Sequence, residues 1–203
     1  MNEVSCNYDG IKTALEFLRN GGILIFPTDT VYGIGCDPYN KKSVDKVYKI
    51  KKRERKKGFP VLGYSKDDLE NIVEFDKVVT KIVEKFWPGQ LTVILPLKDK
   101  KLKKSLGVEN KLAVRVPDNK CILSLLKECK LIVGTSANIS TTNSFMDPKE
   151  CTNSITGYDL FLDGGTIQSS GESTIIEVKN DKIEILRQGV ISEEELSNLD
   201  WIL

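Results

Sequence analysis

The most informative feature of this 203-residue chain is an absence, because it contains no histidine. Ser-His-Asp triads, Cys-His dyads and histidine-ligated metal sites are therefore excluded. Whatever chemistry the protein performs must use carboxylates, hydroxyls, lysine, arginine and backbone amides.

Cysteine is too sparse to indicate a stapled scaffold. The five cysteines form an odd, widely spaced set with no C-x-x-C pair: Cys6, Cys36, Cys121, Cys129 and Cys151. We therefore expect neither a disulfide framework nor a zinc site, and a reducing cytosol is the natural compartment for such a chain.

Long apolar runs are also missing. No hydrophobic stretch approaches the ~20 residues that a membrane-spanning helix needs, and the first ten residues, MNEVSCNYDG, lack the basic-then-apolar pattern of a secretory signal. A hydrophobic content of 40% and a charged content of 29% are ordinary for a globular protein with a core. We expect a cytoplasmic protein with no membrane partner, and the length favours one domain over residues 1–203.

Positive charge is concentrated in one segment. Residues 41–57 hold ten of the 30 lysines and arginines but only two of the 29 acidic residues, so the rest of the chain is net acidic. Such a run is usually a solvated helix face, but against an acidic background it indicates a local anion site. Because the run lies inside the chain, a terminal RNA-binding arm is the less natural interpretation.

Helical and strand-like segments alternate along the chain. The spacing of apolar residues predicts a first helix that ends at Gly21. Asp9 is its candidate N-cap. The last two strands are predicted to pair across an Asn180–Asp181 turn. Further helices are predicted at 41–52, 65–72, 76–86, 119–128 and 192–199, and strands at 23–26, 59–64, 91–97, 112–116, 131–134, 159–163, 173–178 and 182–187. This order predicts an α/β domain with a mixed sheet.

Small polar residues follow two predicted strands, where α/β sheets commonly bind ligands. Segment 27–38, PTDTVYGIGCDP, offers hydroxyls, a carboxylate and two glycines, Gly33 and Gly35, that would let the backbone approach a ligand. Segment 134–140, GTSANIS, supplies short donors, and a helix beginning just after it would add an anion site. Taken alone, segment 27–38 is more typical of a polar turn than of a ligand site, and segment 134–140 is more typical of a helix cap without a ligand.

Arg115 lies inside the apolar strand LAVRV, where an unpaired charge would be very costly. It is either half of an internal ion pair or a fork for a substrate carboxylate. The residues alone leave both interpretations open.

Taken in order, these segments resemble the YrdC/TsaC family of threonylcarbamoyl-AMP synthases, in its short single-domain form. The resemblance extends over a core of about residues 9–190. It implies an α/β fold with a single YrdC-like domain, in which a twisted mixed parallel/antiparallel sheet flanked by helices surrounds a basic cavity. The motifs that carry it are FPTDTVYGIGCDP, K-x-R at 51–53, FWPGQLTVILP, LAVRVPD, TSAN, GESTIIEV and LRQGVIS.

The resemblance also implies an activity. The enzyme, a nucleotidyltransferase, would condense L-threonine, bicarbonate or carbon dioxide, and ATP into threonylcarbamoyl-AMP and pyrophosphate, the first step of tRNA threonylcarbamoyladenosine modification. Mg²⁺ would be held through the ATP phosphates, with no protein metal ligands. The tRNA threonylcarbamoyltransferase machinery would accept the product, and tRNA or double-stranded RNA could contact the protein.

Residue roles follow from matching positions. Lys51 and Arg53 would be catalytic. Threonine would contact Thr28, Thr30, Tyr32, Arg115, Thr135 and Ser173. ATP would contact Lys51, Arg53, Lys57, Ser136, Asn138 and Arg187.

The basic run would then have two faces. Lys52, Arg55 and Lys56 would face solvent or RNA, opposite the ATP-facing residues. Glu54 stands where many relatives have proline, and it places a negative charge beside the expected phosphate site.

Two other functions remain open. A non-catalytic RNA-binding module would use the same basic groove, although aromatic residues make up only 7% of the chain and none is interleaved with the basic residues of 49–57. A related carbamoyl- or adenylyl-transfer enzyme would use another amine in place of threonine.

Overall fold

A computed structural model of the chain describes residues 2–140 and 142–197. These residues form eight α-helices and eleven β-strands. The helices are α1 (Tyr8–Arg19), α2 (Lys41–Ile50), α3 (Lys66–Glu70), α4 (Lys77–Phe86), α5 (Lys100–Leu106), α6 (Lys120–Cys129), α7 (Pro148–Ser154) and α8 (Glu193–Ser197). The strands are β1 (Asn2–Ser5), β2 (Leu24–Phe26), β3 (Gly33–Gly35), β4 (Val61–Gly63), β5 (Leu91–Pro96), β6 (Lys111–Arg115), β7 (Leu131–Val133), β8 (Thr135–Ser136), β9 (Leu160–Asp163), β10 (Thr174–Lys179) and β11 (Lys182–Arg187).

The strands are divided between two sheets. One has the order β1-β9-β2-β3-β8 and the other has the order β11-β10-β5-β6-β4-β7. Both are mixed: β1, β9 and β2 run parallel while β3 is antiparallel to its neighbours, and β10–β5 and β4–β6 are the parallel pairs of the second sheet. The mixed α/β class predicted from the sequence is confirmed. Over the part of the chain with described coordinates, no helix has the length and apolarity needed to cross a bilayer.

Strand β2 illustrates why several strands read as continuous apolar runs. Ile25 belongs to a large core cluster with members in both sheets, whereas Leu24 and Phe26 pack with residues of α1 and α6. Because side chains alternate along a strand, β2 is buried on both faces and needs apolar residues at every position.

Local capping differs from the prediction at two places. The N-cap of α1 is Asn7, whose side chain accepts the Gly10 N–H at 2.9 Å, so the assignment to Asp9 is wrong. Among the described residues, the next helix after GTSANIS is α7, which starts at Pro148, so the helix expected directly after this segment is not found there. The β10–β11 hairpin is confirmed, with positive φ at both turn residues, Asn180 and Asp181.

Other differences concern short elements. The strands β1, β3 and β8 and the helices α5 and α7 are too short or too polar to stand out in the sequence. Residues 198–199 of the predicted last helix lie outside the described residues.

The expectation of no disulfide is wrong. Cys6 and Cys121 form a disulfide across 115 positions of sequence. Cys6 immediately precedes α1 and Cys121 lies in the first turn of α6, and these two helices pack together. Spacing along the chain does not reveal such a pairing, because it depends on how the two helices meet. Cys36, Cys129 and Cys151 are free.

Candidate active site

A cavity of about 230 Å³ lies where strands from both sheets meet. Its charged lining consists of three arginines and one carboxylate: Arg53, Arg115, Arg187 and Glu172. Hydroxyl groups supply most of the remaining polar lining, from Thr28, Thr30, Thr92, Thr135, Ser136 and Ser173. A cavity with this excess of guanidinium groups favours anionic ligands.

The buried end of the cavity is built around Arg115 in β6, which is 5% exposed. Its Nη2 donates to Asp29 Oδ1 at 2.6 Å, its Nη1 to Thr30 Oγ1 at 3.1 Å and its Nε to the Gly89 carbonyl at 2.8 Å. Burial lowers the pKa of Arg115, while the Asp29 carboxylate opposes that shift. A guanidinium has five N–H donors, so two remain for a ligand after the contacts within the described residues.

The PTDT turn holds its hydroxyls in a fixed chain beside this arginine. Thr28 Oγ1 donates to the Val31 carbonyl at 2.7 Å and accepts the backbone N–H groups of Thr30 and Val31. It also lies 3.0 Å from Thr30 Oγ1. Since the Thr28 proton is used on Val31, Thr28 has none left to donate to Thr30, and Thr30 Oγ1 accepts from Arg115 Nη1. The turn is therefore ordered before any ligand arrives.

The glycines of this segment serve the fold. A Cβ on Gly35 would lie 1.6 Å from the Val133 carbonyl oxygen, so glycine is needed there for the close approach of a neighbouring strand, not of a ligand. Gly33 lines the cavity, but a Cβ on it would lie 2.8 Å from the Phe26 ring.

The more exposed end of the cavity is built around Arg187 at the end of β11. Its Nε and Nη2 donate to the Ser173 carbonyl at 3.1 and 2.8 Å, and Nη2 also donates to Ser173 Oγ at 3.0 Å. Its Nη1 forms an ion pair with Glu172, whose other oxygen accepts the Ser144 hydroxyl. Ser173 Oγ also forms a hydrogen bond with Thr92 Oγ1 at 2.9 Å.

Lys51 lies behind the cavity wall. It is 1% exposed, and its Nζ donates to the Ser136 carbonyl and to the carbonyl and side-chain oxygens of Asn138, the latter two at 2.8 and 3.0 Å. Burial, followed by the positive charge of Arg53, lowers the pKa of Lys51 to about 8. Lys51 therefore ties the end of α2 to the TSAN segment.

Arg53 is the member of the K-x-R motif that reaches the cavity. Its Nε donates to the Lys57 carbonyl at 2.8 Å and its Nη2 to the Gly58 carbonyl at 3.0 Å, and its guanidinium lies 5.3 Å from the Phe59 ring centroid. These contacts orient the group without a carboxylate partner. Burial lowers the pKa of Arg53.

The outer face of the basic run is exposed as predicted. Lys52, Arg55 and Lys56 face outward. Arg55 pairs with Asp45 at 2.7 Å. Glu54 is also exposed and lies 3.1 Å from the Lys56 ammonium, so its charge points away from the cavity.

The structure brings most of the predicted site residues to one cavity and leaves four outside its lining. Those on the lining are Thr28, Thr30, Arg53, Arg115, Thr135, Ser136, Ser173 and Arg187. Those outside it are Tyr32, Lys51, Lys57 and Asn138.

The expectation that Tyr32 forms a wall of the pocket is corrected. Tyr32 is fully buried, its hydroxyl donates to the Gly165 carbonyl at 2.8 Å, and its ring stacks on Phe161 at 5.2 Å. Lys57 is exposed and contributes its carbonyl to Arg53. Asn138 is buried and accepts from Lys51 and from Ser136 Oγ.

Sequence reasoning missed three residues of this site. Glu172 directly precedes Ser173 in the GEST motif, and its position beside a predicted site residue was the available signal. Thr92 is the polar residue of an apolar strand. Asp29, the partner of Arg115, was noted only as part of a polar turn.

The fold and the cavity define the class: an α/β protein of two mixed sheets whose cavity is lined by arginines and hydroxyls. The chain matches the sequence profile of the family Sua5_yciO_yrdC, which carries the description "Telomere recombination", over residues 16–189. It belongs to this Sua5/YciO/YrdC family.

Named relatives agree with this membership. A Methanocaldococcus jannaschii protein named "Putative threonylcarbamoyl-AMP synthase" is 36% identical over 94% of this chain and 93% of its own length. A Bacillus subtilis "Threonylcarbamoyl-AMP synthase" is 32% identical over 96% of this chain and 58% of its own. The crystal structure of Pyrococcus abyssi Sua5 complexed with L-threonine superimposes with a TM-score of 0.89 at 28% identity, covering 98% of this chain and 60% of that one. The chain thus spans somewhat more than half of these two longer relatives.

Proposed function

We propose that this protein is an L-threonylcarbamoyladenylate synthase, a nucleotidyltransferase that converts L-threonine, bicarbonate or carbon dioxide, and ATP into threonylcarbamoyl-AMP and pyrophosphate. The observation that carries the proposal is the placement of arginines in different surroundings at the two ends of one cavity. Arg115, which has two further N–H donors beyond its contacts within the described residues, lies at the buried end, and Arg53 and Arg187 lie near each other toward the exposed end.

The buried end suits the carboxylate of an amino acid. Arginine binds carboxylates through a planar fork of parallel N–H groups, and Arg115 is already oriented by Asp29, Thr30 and Gly89. The internal ion pair and the substrate fork, which the sequence left as alternatives, are compatible because Asp29 uses only one of the donors. The Thr30 hydroxyl, which lies beside Arg115 on the cavity lining, is placed to meet the threonine side chain.

The other end suits phosphates. The free amine of threonine attacks carbon dioxide and releases a proton, which leaves a carbamate. A carbamate oxygen then forms a bond to the α-phosphorus of ATP as the bond to pyrophosphate breaks. Phosphoryl-type transfer needs in-line positioning and neutralised charge, and no histidine base. In this scheme Arg53 and Arg187 neutralise the phosphates, and Lys51 acts by fixing the TSAN segment.

Magnesium enters this scheme with the nucleotide, as part of the substrate. Among the described residues, no three Cys, Asp or Glu side chains gather into a metal-binding group, and Glu172 is the one carboxylate on the described lining. Such a site fits Mg²⁺ held mainly by ATP phosphates and water.

The product's destination implies further partners and a compartment. The threonylcarbamoyl group would pass to the tRNA threonylcarbamoyltransferase machinery, and the exposed side chains of Lys52, Arg55 and Lys56 would be available to tRNA. A protein that serves tRNA is expected in the cytoplasm, where a disulfide such as Cys6–Cys121 is more often redox-responsive than permanent.

An omission assay tests the activity. Pyrophosphate release should require L-threonine, bicarbonate, ATP and Mg²⁺ together, and the adenylate product should appear in equal amount. Absence of release from folded protein with all components present contradicts the proposal. If RNA binds tightly, with a steep salt dependence, and ATP neither displaces it nor is consumed, the RNA-module alternative is supported instead.

A further inference from the structure

Glu172 is the only carboxylate among the described residues that line the cavity. One of its oxygens accepts from Arg187 Nη1 and the other from Ser144 Oγ. Its side chain is 32% exposed and that of Arg187 is 41% exposed, so both groups remain in contact with water. A negative charge therefore already occupies the arginine that a phosphate would use.

We propose that Glu172 is a specificity-determining residue of the phosphate end: an internal counter-ion for Arg187 that a polyphosphate displaces and a monoanion does not. The inference rests on the proposed function only in naming a nucleotide as the ligand. Its physical content is a competition between two anions for one guanidinium.

Because the ion pair is exposed, replacing the Glu172 carboxylate with a phosphate at Arg187 costs little free energy. Solvent-exposed ion pairs are typically worth about 0.2–1 kcal/mol, so breaking the contact costs little. A polyphosphate offers several charged oxygens and can engage Arg187 together with Arg53, which has no carboxylate partner among the residues described. Its gain exceeds what one carboxylate supplies.

A monoanion has no such advantage. The carboxylate of threonine, or bicarbonate, brings the same single charge as Glu172 but must also lose translational freedom on binding. Glu172 would therefore exclude these two substrates from the phosphate end. Threonine would be directed to Arg115, whose two spare N–H donors need no displacement.

Glu172 also limits repulsion in the cavity before the nucleotide arrives. Its charge raises the pKa values of Lys51 and Arg53, against the larger effect of burial. When a polyphosphate takes over this role, the Ser144 hydroxyl remains as a partner for the displaced carboxylate.

Binding of inorganic pyrophosphate, measured by calorimetry at fixed ionic strength, tests the proposal. Glu172→Gln keeps the shape and removes the charge, and it should tighten pyrophosphate binding roughly two- to fivefold, with or without Mg²⁺. Glu54→Gln removes a carboxylate that is exposed on the outer loop, and it is the matched control. Its effect should be much smaller because water and salt screen that charge.

Competition by acetate supplies the specificity readout. Acetate should compete with pyrophosphate measurably better in Glu172→Gln than in the unaltered protein. Ser144→Ala removes one hydrogen bond but leaves the charge, so it should change pyrophosphate binding far less than Glu172→Gln does.

Unchanged or weaker pyrophosphate binding in folded Glu172→Gln overturns the proposal. If pyrophosphate binding is weakened only when Mg²⁺ is present, Glu172 is a metal ligand instead. Because the probe needs neither threonine nor turnover, the outcome is independent of the omission assay. Tightening without any adenylate synthesis would leave the anion competition standing and reject the synthase.

Discussion

The two ends of the cavity contain the same kind of ion pair in different surroundings. At one end Arg115 and Asp29 have side chains that are 6% and 10% exposed, and at the other Arg187 and Glu172 are 41% and 32% exposed. The first pair is almost buried, whereas the second faces water although Arg187 also donates to Ser173. Identical chemistry can therefore provide a rigid binding fork at one site and an exchangeable counter-ion at another.

Burial decides the difference. Removing one partner of a buried pair strands the other charge in a poorly solvated place, whereas water solvates the remaining partner of an exposed pair. A ligand carboxylate must therefore join Arg115 and Asp29, because it cannot replace Asp29 at low cost. A ligand phosphate can replace Glu172.

The largest loss of stability is expected when the buried ion pair is broken. Arg115→Ala should lower the free energy of unfolding by roughly 3–5 kcal/mol, because it leaves the Asp29 carboxylate buried and unpaired. Arg187→Ala, the matched change at the exposed end, should cost roughly 1 kcal/mol. Urea unfolding of both variants measures the difference, and equal losses would show that the two pairs are not distinguished by burial.

The ligand side of the same comparison should separate the variants by substrate. Arg115→Lys keeps a charge but loses the planar fork, so it should raise the KM for threonine more than the KM for ATP. Arg187→Lys should do the reverse. Steady-state pyrophosphate release with each substrate varied provides the measurement.

A smaller effect is expected at Lys51, which supports the cavity from behind. Lys51→Met should destabilise the protein by roughly 1–3 kcal/mol, since the buried Asn138 carbonyl loses its donor and the Ser136 carbonyl and Asn138 Oδ1 each lose one of two donors. Lys52→Met, at an exposed neighbour, is the control and should be nearly silent. If both variants unfold at the same urea concentration, Lys51 does not organise the TSAN segment.

Much of this site could be predicted because its residues follow strand ends. Thr28 and Thr30 come after β2, Ser136 lies in the short strand after β7, and continuous apolar runs in the sequence located β2 and β7. In α/β folds such positions converge on one edge. The convergence of these residues on one cavity is the part of the prediction that the structure confirms.

Side-chain environments could not be predicted in the same way. Lys51 and Arg53 are two positions apart and belong to one motif, yet Lys51 is buried against Ser136 and Arg53 reaches the cavity. Both follow the end of α2. Outside a helix or strand, the spacing of residues in the sequence does not predict which way their side chains point. The burial of Tyr32 under Phe161 depends likewise on a contact between segments that are distant in sequence.

A pH dependence that originates at Lys51 is also expected. Because the folded-state pKa of about 8 lies below the ordinary lysine pKa of 10.5, the folded protein releases a proton that the unfolded chain keeps between those two pH values. This group's contribution to the free energy of unfolding should therefore rise with pH across that interval, by at most about 1.4 kcal/mol per pH unit. It is lost again as the pH falls through about 8.

Activity should move in the opposite direction, since a neutral amine has only two donors for the three oxygens that position TSAN. Unfolding curves between pH 7 and pH 10, compared with those of Lys51→Met, isolate the contribution, and identical pH slopes in the two proteins would assign the titration to another group.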